Sequence, residues 1–474
     1  MVSAIIRRLV ASCFWVAAAY AQISNFQHIV VIVQENRTPD NLFQGLCQTR
    51  TKANICSTTP TSSQYNIQTS NWLDYTSPSG VTQPSAVELT SKYDLNHTHP
   101  AFVTMCDADP STGACLNDGA AGISCGGTCP TQPQFRYVDN SRGILNPYLD
   151  LARRFGWANY MFQTNQGPSF PAHQFLFGGT SAPSAQSDAA GTFAAENPIG
   201  SYVAGCTAPA GTTVALIAAD GTENQQIYPC FEHETMADLL PVSITWRYYA
   251  PNAGAVWTAP NAIAHICQST GPGGECVGQD WTNNVDLTPA DVLRDIAACK
   301  LRSVSWVVPS GVNSDHAGAN DGGGPSWVAS IVDAIGNSNS CDGNAGYWHD
   351  TAVLVTWDDW GGWYDHEPPT VLSQPEGNYQ YGFRVPLIVV SAYTPPGYID
   401  NDRHDFGSIL RFIEFNFSLP IGGLNFADAR ADTDLGGFFN LTHAPRPFRN
   451  IHSRKRASFF LNDDRKATDP DDDE

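Results

Sequence analysis

The chain has 474 residues, of which 46 are Asp or Glu and 25 are Lys or Arg, so its formal charge is −21. That excess repels phosphate backbones and anionic lipid surfaces, which excludes a nucleic-acid polymer or a charged membrane face as the main partner. No polar linker or internal repeat divides the chain, and one large domain is expected.

Residues 1–21 read as an export signal: Arg7 and Arg8 form a basic start, 9–19 is mostly apolar, and Ala19-Tyr20-Ala21 is a small-x-small cleavage site. The mature protein then starts at Gln22, is secreted or periplasmic, and runs as one domain over 22–452. The apolar stretch falls short of the roughly 20 residues that span a bilayer, and no later run approaches them, so no stable membrane insertion is expected.

The apolar run 28–33 predicts a buried strand, and Gln34-Glu35-Asn36-Arg37 follows at its carboxyl end, with Thr38 or Asp40 placed to cap a helix. Residues 47–136 and 182–230 are rich in Gly, Ser, Thr, Pro and Cys and read as disulfide-braced loops or a cap. The first of these contains His97 and His99 in Asn-His-Thr-His-Pro. In Gln166-Gly-Pro-Ser169-Phe-Pro-Ala-His173, glycine and two prolines fix the backbone around one hydroxyl, and Ser169 is the candidate nucleophile. His233, in Phe-Glu-His-Glu-Thr, either contacts substrate or begins a helix over 235–240.

Further strands are predicted at 243–249, 304–308, 352–356 and 385–390, and helical periodicity at 327–335 and 408–414. Strands alternating with helices predict an α/β fold with a mostly parallel sheet sandwiched by helices. Asp315 and His316 follow the 304–308 strand, and the 352–356 strand opens into Trp357-Asp358-Asp359-Trp-Gly-Gly-Trp-Tyr-Asp365-His366. The segment 453–474, with its basic triplet and acidic end, reads as disorder.

Of thirteen cysteines, Cys13 leaves with the signal, and an even remainder in an exported chain argues for disulfides. Proximity suggests Cys47/Cys56, Cys106/Cys115, Cys125/Cys129, Cys206/Cys230, Cys267/Cys276 and Cys299/Cys341. A zinc site on Cys125 and Cys129 lacks a second Cys/His pair at suitable spacing.

Three carboxylates and an imidazole within nine residues, at a strand's carboxyl end, point to a bound cation. Oxygen ligands of this type suit Mg, Ca or Mn, and the glycines let the backbone turn around the site. An exposed acidic turn is the plainer alternative, but the three tryptophans and paired prolines make a poor solvent loop. His97 and His316 are suited to protonate a leaving alkoxide and activate water, because imidazole titrates near ~6.5.

With these motifs the chain resembles the bacterial phosphoesterase family that joins phospholipase C enzymes with the acid phosphatase A type, within the alkaline phosphatase-like fold. The matching pieces are Val-Gln-Glu35-Asn36-Arg37, His97-Thr-His99, Gly-Pro-Ser169, Phe-Glu-His233-Glu-Thr, Ser-Asp315-His316 and Trp-Asp358-Asp359-Trp-Gly-Gly-Trp-Tyr-Asp365-His366. The resemblance implies that Glu35, Asn36, Asp358 and Asp359 hold a divalent metal (Ca, Mg, Mn, Zn or Fe) together with Ser169, which becomes transiently phosphorylated. It also implies that His97 and His316 bind phosphate or shuttle protons, with His99, His233, Asp315, Asp365 and His366 as further substrate contacts. Ser169-Phe-Pro-Ala-His173 looks, in addition, like the nucleophile segment of nucleotide pyrophosphatases. A sulfatase is disfavoured because His173 stands where that family's arginine would be.

The expected activity is thus a secreted, metal-dependent hydrolysis of a phosphoester small molecule, of the acid phosphatase type. The alternative is a phospholipase C acting on a phospholipid head group, in which the tryptophans near Asp358 form an aromatic box for a choline-type cation. A nucleotide phosphodiesterase and a non-enzymatic, cation-stabilised binding module are the remaining readings.

Overall fold

The computed structural model describes residues 24–48, 55–369 and 381–468. The expected export signal and the last six residues lie outside them. The centre is an eight-stranded sheet: β1 (His28–Gln34), β2 (Gly156–Met161), β3 (Trp246–Tyr249), β4 (Val285–Asp286), β5 (Val304–Val307), β6 (Thr351–Trp357), β7 (Leu387–Ser391) and β8 (Tyr398–His404). The spatial order is β4-β3-β5-β1-β6-β7-β2-β8. Only β7 runs against its neighbours; every other adjacent pair is parallel. The expected α/β class is therefore observed.

β1 and β6 lie side by side near the middle of the sheet because they are built for burial on both faces. Ile29-Val-Val-Ile-Val33 and Ala352-Val-Leu-Val355 are β-branched or aliphatic throughout, and all are 0–1% exposed. Each valine, leucine or isoleucine among them contributes about 1.5–3 kcal/mol by leaving water. Helix α1 (His99–Cys106) buries Ala101, Phe102 and Met105 outside the sheet, while α2 (Asn146–Arg154), α3 (Ser169–Gly178), α4 (Gly324–Gly336) and α5 (Phe406–Asn416) cover it. A second, smaller apolar cluster lies outside the sheet, where Trp72, Tyr93, Leu95 and Phe102 meet Trp360, Trp363 and Phe383.

All six expected cysteine pairs are disulfides, Cys125–Cys129 included, so the zinc reading of that pair is set aside. The expectation of disorder after residue 453 needs correction within the described part. Ala457–Leu461 forms a short helix, α6, and Phe460 packs edge-on against Trp327 of α4 with ring centroids 5.2 Å apart. Composition concealed this, because one or two buried aromatics are enough to dock a charged segment.

α5 begins with a capping box in which Asp405 accepts from Ser408 N–H at 3.0 Å and from Thr164 Oγ at 3.1 Å. Burial, opposed by these hydrogen bonds, raises the Asp405 carboxyl from 3.8 to about 6. The native state therefore keeps a proton that the unfolded chain loses first, and this group's contribution to stability falls as pH rises from about 4 to about 6. Asp405→Asn is expected to remove up to about 3 kcal/mol of that pH dependence. Denaturant melts of both proteins at pH 4, 5, 6 and 7 check this; parallel stability curves would contradict it.

Candidate active site

The register of β1 and β6 sets Gln34 opposite Trp357. The next residues of both strands leave the sheet together, so Glu35, Asn36, Asp358 and Asp359 meet at its carboxyl end, each 0% exposed. Asp358 N–H donates to Gln34 O at 3.0 Å, and Asn36 N–H donates to Asp358 Oδ1 at 3.0 Å. Asn36 adopts a left-handed φ of 58°, a conformation asparagine tolerates better than most residues. Gly361, at φ +62°, closes over it; a Cβ there would sit 2.5 Å from the Asn36 carbonyl oxygen.

α3 supplies the third wall. Gly167 precedes it where a Cβ would lie 2.0 Å from the Ala195 carbonyl oxygen, a separation only glycine permits. Ser169 is the first residue of α3, at the positive end of the helix dipole. Its Oγ donates to Asp359 Oδ2 at 3.1 Å, while Asp359 Oδ1 accepts from Gly361 N–H at 2.7 Å.

His173 stands one helical turn after Ser169 and shares its face. Its Nε2 is 3.4 Å from Glu35 Oε1 and 3.7 Å from Asp358 Oδ2. The hydroxyl of Tyr248 donates its one proton to Trp257 O at 2.7 Å, so at 3.3 Å it accepts from His173 Nδ1–H. In the neutral ring, Nε2 then presents a lone pair to two carboxylates, which a cation would hold together.

On the other side, His97 Nδ1–H donates to Leu95 O at 2.8 Å, and Nε2 accepts from Asn36 Nδ2 at 2.9 Å. This fixes the Asn36 amide and leaves its Oδ1, like Asp358 Oδ2, buried without a hydrogen-bond donor. Buried acceptors of this kind are costly unless something positive meets them. The donor set of Glu35, Asn36, Ser169, Asp358 and Asp359, with His173 added, therefore fits a divalent ion.

His316 completes the group. Its Nδ1–H donates to Ala317 O at 2.8 Å, its Nε2 faces Asp94 Oδ2 at 3.9 Å, and its ring centroid is 6.1 Å from that of His97. It borders a cleft of about 870 Å³ lined also by Tyr93, Asp94, Asn96 and Val312.

The remaining expected contacts lie elsewhere. Asp315 is buried behind His316, where Tyr148 OH at 2.8 Å and Trp357 Nε1 at 3.2 Å donate to it. Burial raises its carboxyl to about 6, against the Tyr148 bond and the Arg37 charge. His99 pairs with Glu223 and borders a separate pocket with Thr164, Asn165 and Phe193. His233 lies against Gly178, at the opposite end of α3 from Ser169.

Asp365 and His366 are built into a buried ion-pair network. Arg384 Nε donates to Asp365 Oδ1 at 2.7 Å and its Nη2 to Oδ2 at 3.0 Å, while His366 bonds Asp40 Oδ2 through Nδ1 at 2.7 Å. Their adjacency to Asp359 in sequence is misleading because the chain reverses at Gly361 and Gly362, both at positive φ. Arg384→Met would leave Asp365 and Asp40 buried without their guanidinium and is expected to cost about 3–5 kcal/mol. Calorimetry reads this as a large fall in Tm; a fall of a degree or less would show the network to be dispensable.

The aromatic-box reading of the tryptophans is likewise corrected. Trp357, Trp360 and Trp363 are at most 1% exposed and serve as packing, Trp363 beneath Arg37 at 4.8 Å. His173, not among the candidate ligands named from the sequence, faces Glu35 and Asp358. Its signal was the four-residue spacing from Ser169, which means a shared face only if a helix starts at Ser169.

Residues 26–420 match the model of the Phosphoesterase family. The chain belongs to that family. Among curated relatives, phospholipase C B of Mycobacterium tuberculosis is 30% identical over 179 residues, 34% of this chain and 33% of its own length. The non-hemolytic phospholipase C of Pseudomonas aeruginosa is 24% identical over 252 residues, 47% of this chain and 35% of its own. The matches thus span about a third of the length of these relatives. Among solved structures, a protein of the alkaline phosphatase superfamily from Vibrio parahaemolyticus aligns at 12% identity and TM-score 0.29, over 57% of this chain and 60% of that one. Among the described residues of this Phosphoesterase, no helix is long and apolar enough to cross a membrane.

Proposed function

We propose that this member of the Phosphoesterase family is an exported, metal-dependent hydrolase of phosphoric esters with Ser169 as nucleophile. The observation that carries the reading is the placement of the Ser169 hydroxyl, 3.1 Å from Asp359 at the start of α3, beside the buried cluster of Glu35, His173 and Asp358. Six disulfides support export to an oxidising compartment. A divalent ion bound by this donor set would lower the pKa of the serine hydroxyl and neutralise charge on the phosphoryl oxygens.

Ser169 Oγ forms the new bond to phosphorus as the bond to the leaving oxygen breaks in line. Asp359, which accepts the Ser169 hydroxyl hydrogen, orients Oγ for attack, takes its proton as the bond to phosphorus forms, and returns it to Oγ when the phosphoserine is cleaved. The leaving alkoxide takes a proton from His316, whose ring faces the cleft, and His97 holds Asn36 in position. Water entering by the same cleft then cleaves the phosphoserine, with His316 taking its proton.

Two ester classes remain as substrates of this site. A phosphomonoester needs room only for one substituent beside the Ser169 hydroxyl. A phospholipid diester needs room for a second substituent, and the 870 Å³ cleft beside His316, together with the phospholipase C names of the relatives, favours that reading. Hydrolysis of p-nitrophenylphosphorylcholine against p-nitrophenyl phosphate separates them. Preference for the choline diester supports the phospholipase C reading, preference for the monoester supports an acid phosphatase, and turnover of neither with any divalent metal added would count against hydrolysis of either class.

A further inference from the structure

A second set of metal-ligating groups sits at the far end of the sheet. Asp342, His349 and Asp350 each bring one ligand atom within 4.8 Å of the others. They precede β6, whose carboxyl end leads to Asp358. Seven strand residues at about 3.3 Å each separate the two places by roughly 20 Å, too far for one ion to serve both.

The hydrogen bonds set the imidazole for metal binding. His349 Nδ1 donates to the Gly346 carbonyl, which can only accept, so in the neutral ring the lone pair is on Nε2. Nε2 faces Asp342 Oδ2 at 3.4 Å and Asp350 Oδ2 at 3.7 Å. A backbone carbonyl that fixes the tautomer and turns the other nitrogen inward is the usual outer partner of a metal-bound histidine.

Asp350 supplies an independent observation. It is 3% exposed, and its Oδ1 is buried without a hydrogen-bond partner. The carboxylate pair Asp40 and Asp365 shows what such a cluster otherwise requires, because Arg384 lies between them and provides the compensating charge. Among the described residues, no arginine or lysine pairs with Asp342 or Asp350.

We propose that Asp342, His349 and Asp350 bind a divalent cation of the Zn²⁺ class, held by two carboxylates and one imidazole, with water completing the shell on the exposed Asp342 side. The imidazole favours a borderline ion over Ca²⁺, which takes oxygen ligands. The ion is structural. The Asp350 carbonyl accepts from Gln27 N–H at 2.9 Å and His28 N–H at 3.2 Å, and Cys341 is tied to Cys299, so the ion fastens this corner to the start of β1 and β6.

The test is crystallography of the full chain, stripped with chelator and soaked with Zn²⁺, with anomalous maps at the zinc edge, beside equilibrium dialysis of Zn²⁺. An anomalous peak among the three side chains is expected, with one equivalent fewer bound by His349→Ala and unchanged phosphoester turnover in that variant. Asp342→Asn, at a half-exposed position, serves as a second variant whose folding is not in question, and it should weaken this zinc by about tenfold or more. Absence of the peak in the wild type, or equal zinc uptake by wild type and both variants, would overturn the proposal.

Discussion

Ser169→Ala is expected to lower kcat by about 10³-fold or more, with Tm shifted by no more than a few degrees. The large loss follows because no other hydroxyl stands at the start of α3 against Asp359. The small stability effect follows because the serine makes one buried hydrogen bond, worth about 1 kcal/mol, and alanine fits the same backbone. Metal content should be nearly retained, since five other residues of the donor set are untouched. Steady-state kinetics, metal analysis and calorimetry on one preparation check all three expectations. A variant that keeps wild-type turnover would remove Ser169 from the mechanism.

His173→Gln should affect metal before chemistry. The imidazole Nε2 lies between Glu35 and Asp358, and the hydroxyl of Tyr248 sets its tautomer, so a carboxamide cannot present the same lone pair. The metal concentration for half-maximal activity is expected to rise by about 10–100-fold, with kcat recovering substantially at saturation. Asp358→Asn should go further, because Asp358 supplies charge to the cluster as well as accepting the Asn36 N–H. Chelator should inactivate the wild type, and added divalent ion should restore it. If His173→Gln matched the wild type across a metal titration, His173 would belong to packing alone.

Much of this site was legible in the sequence because the informative residues directly follow continuous apolar strands. β1 and β6 announce themselves by unbroken apolar runs, and whatever follows a buried parallel strand emerges at the ligand-binding edge. Glu35, Asn36, Asp358 and Asp359 were singled out as candidates that way. β2 and β8 were not, since Gly156-Trp-Ala-Asn-Tyr-Met and Tyr398-Ile-Asp-Asn-Asp-Arg-His mix polar groups into the run. β8 is an edge strand and needs only one covered side.

Among the candidate residues, proximity in sequence and proximity in space diverge. Asp365 and His366 follow Asp359 closely, yet two glycines turn them into the Arg384 network. His99 is two residues from His97, but it begins α1 and pairs with Glu223 instead. His173 shows the converse: helical geometry, invisible in a Gly-Pro-Ser turn, brings it against Glu35 and Asp358.

The covalent mechanism requires Ser169 to take the phosphoryl group. Mass spectrometry of acid-quenched enzyme, mixed with substrate in the presence of divalent metal and digested, tests it most directly. The peptide bearing Ser169 should gain the mass of one phosphoryl group, and Ser169→Ala should give no modified peptide. Phosphorylation at another residue, or turnover by the wild type with no phosphopeptide at any quench time, would contradict the covalent mechanism.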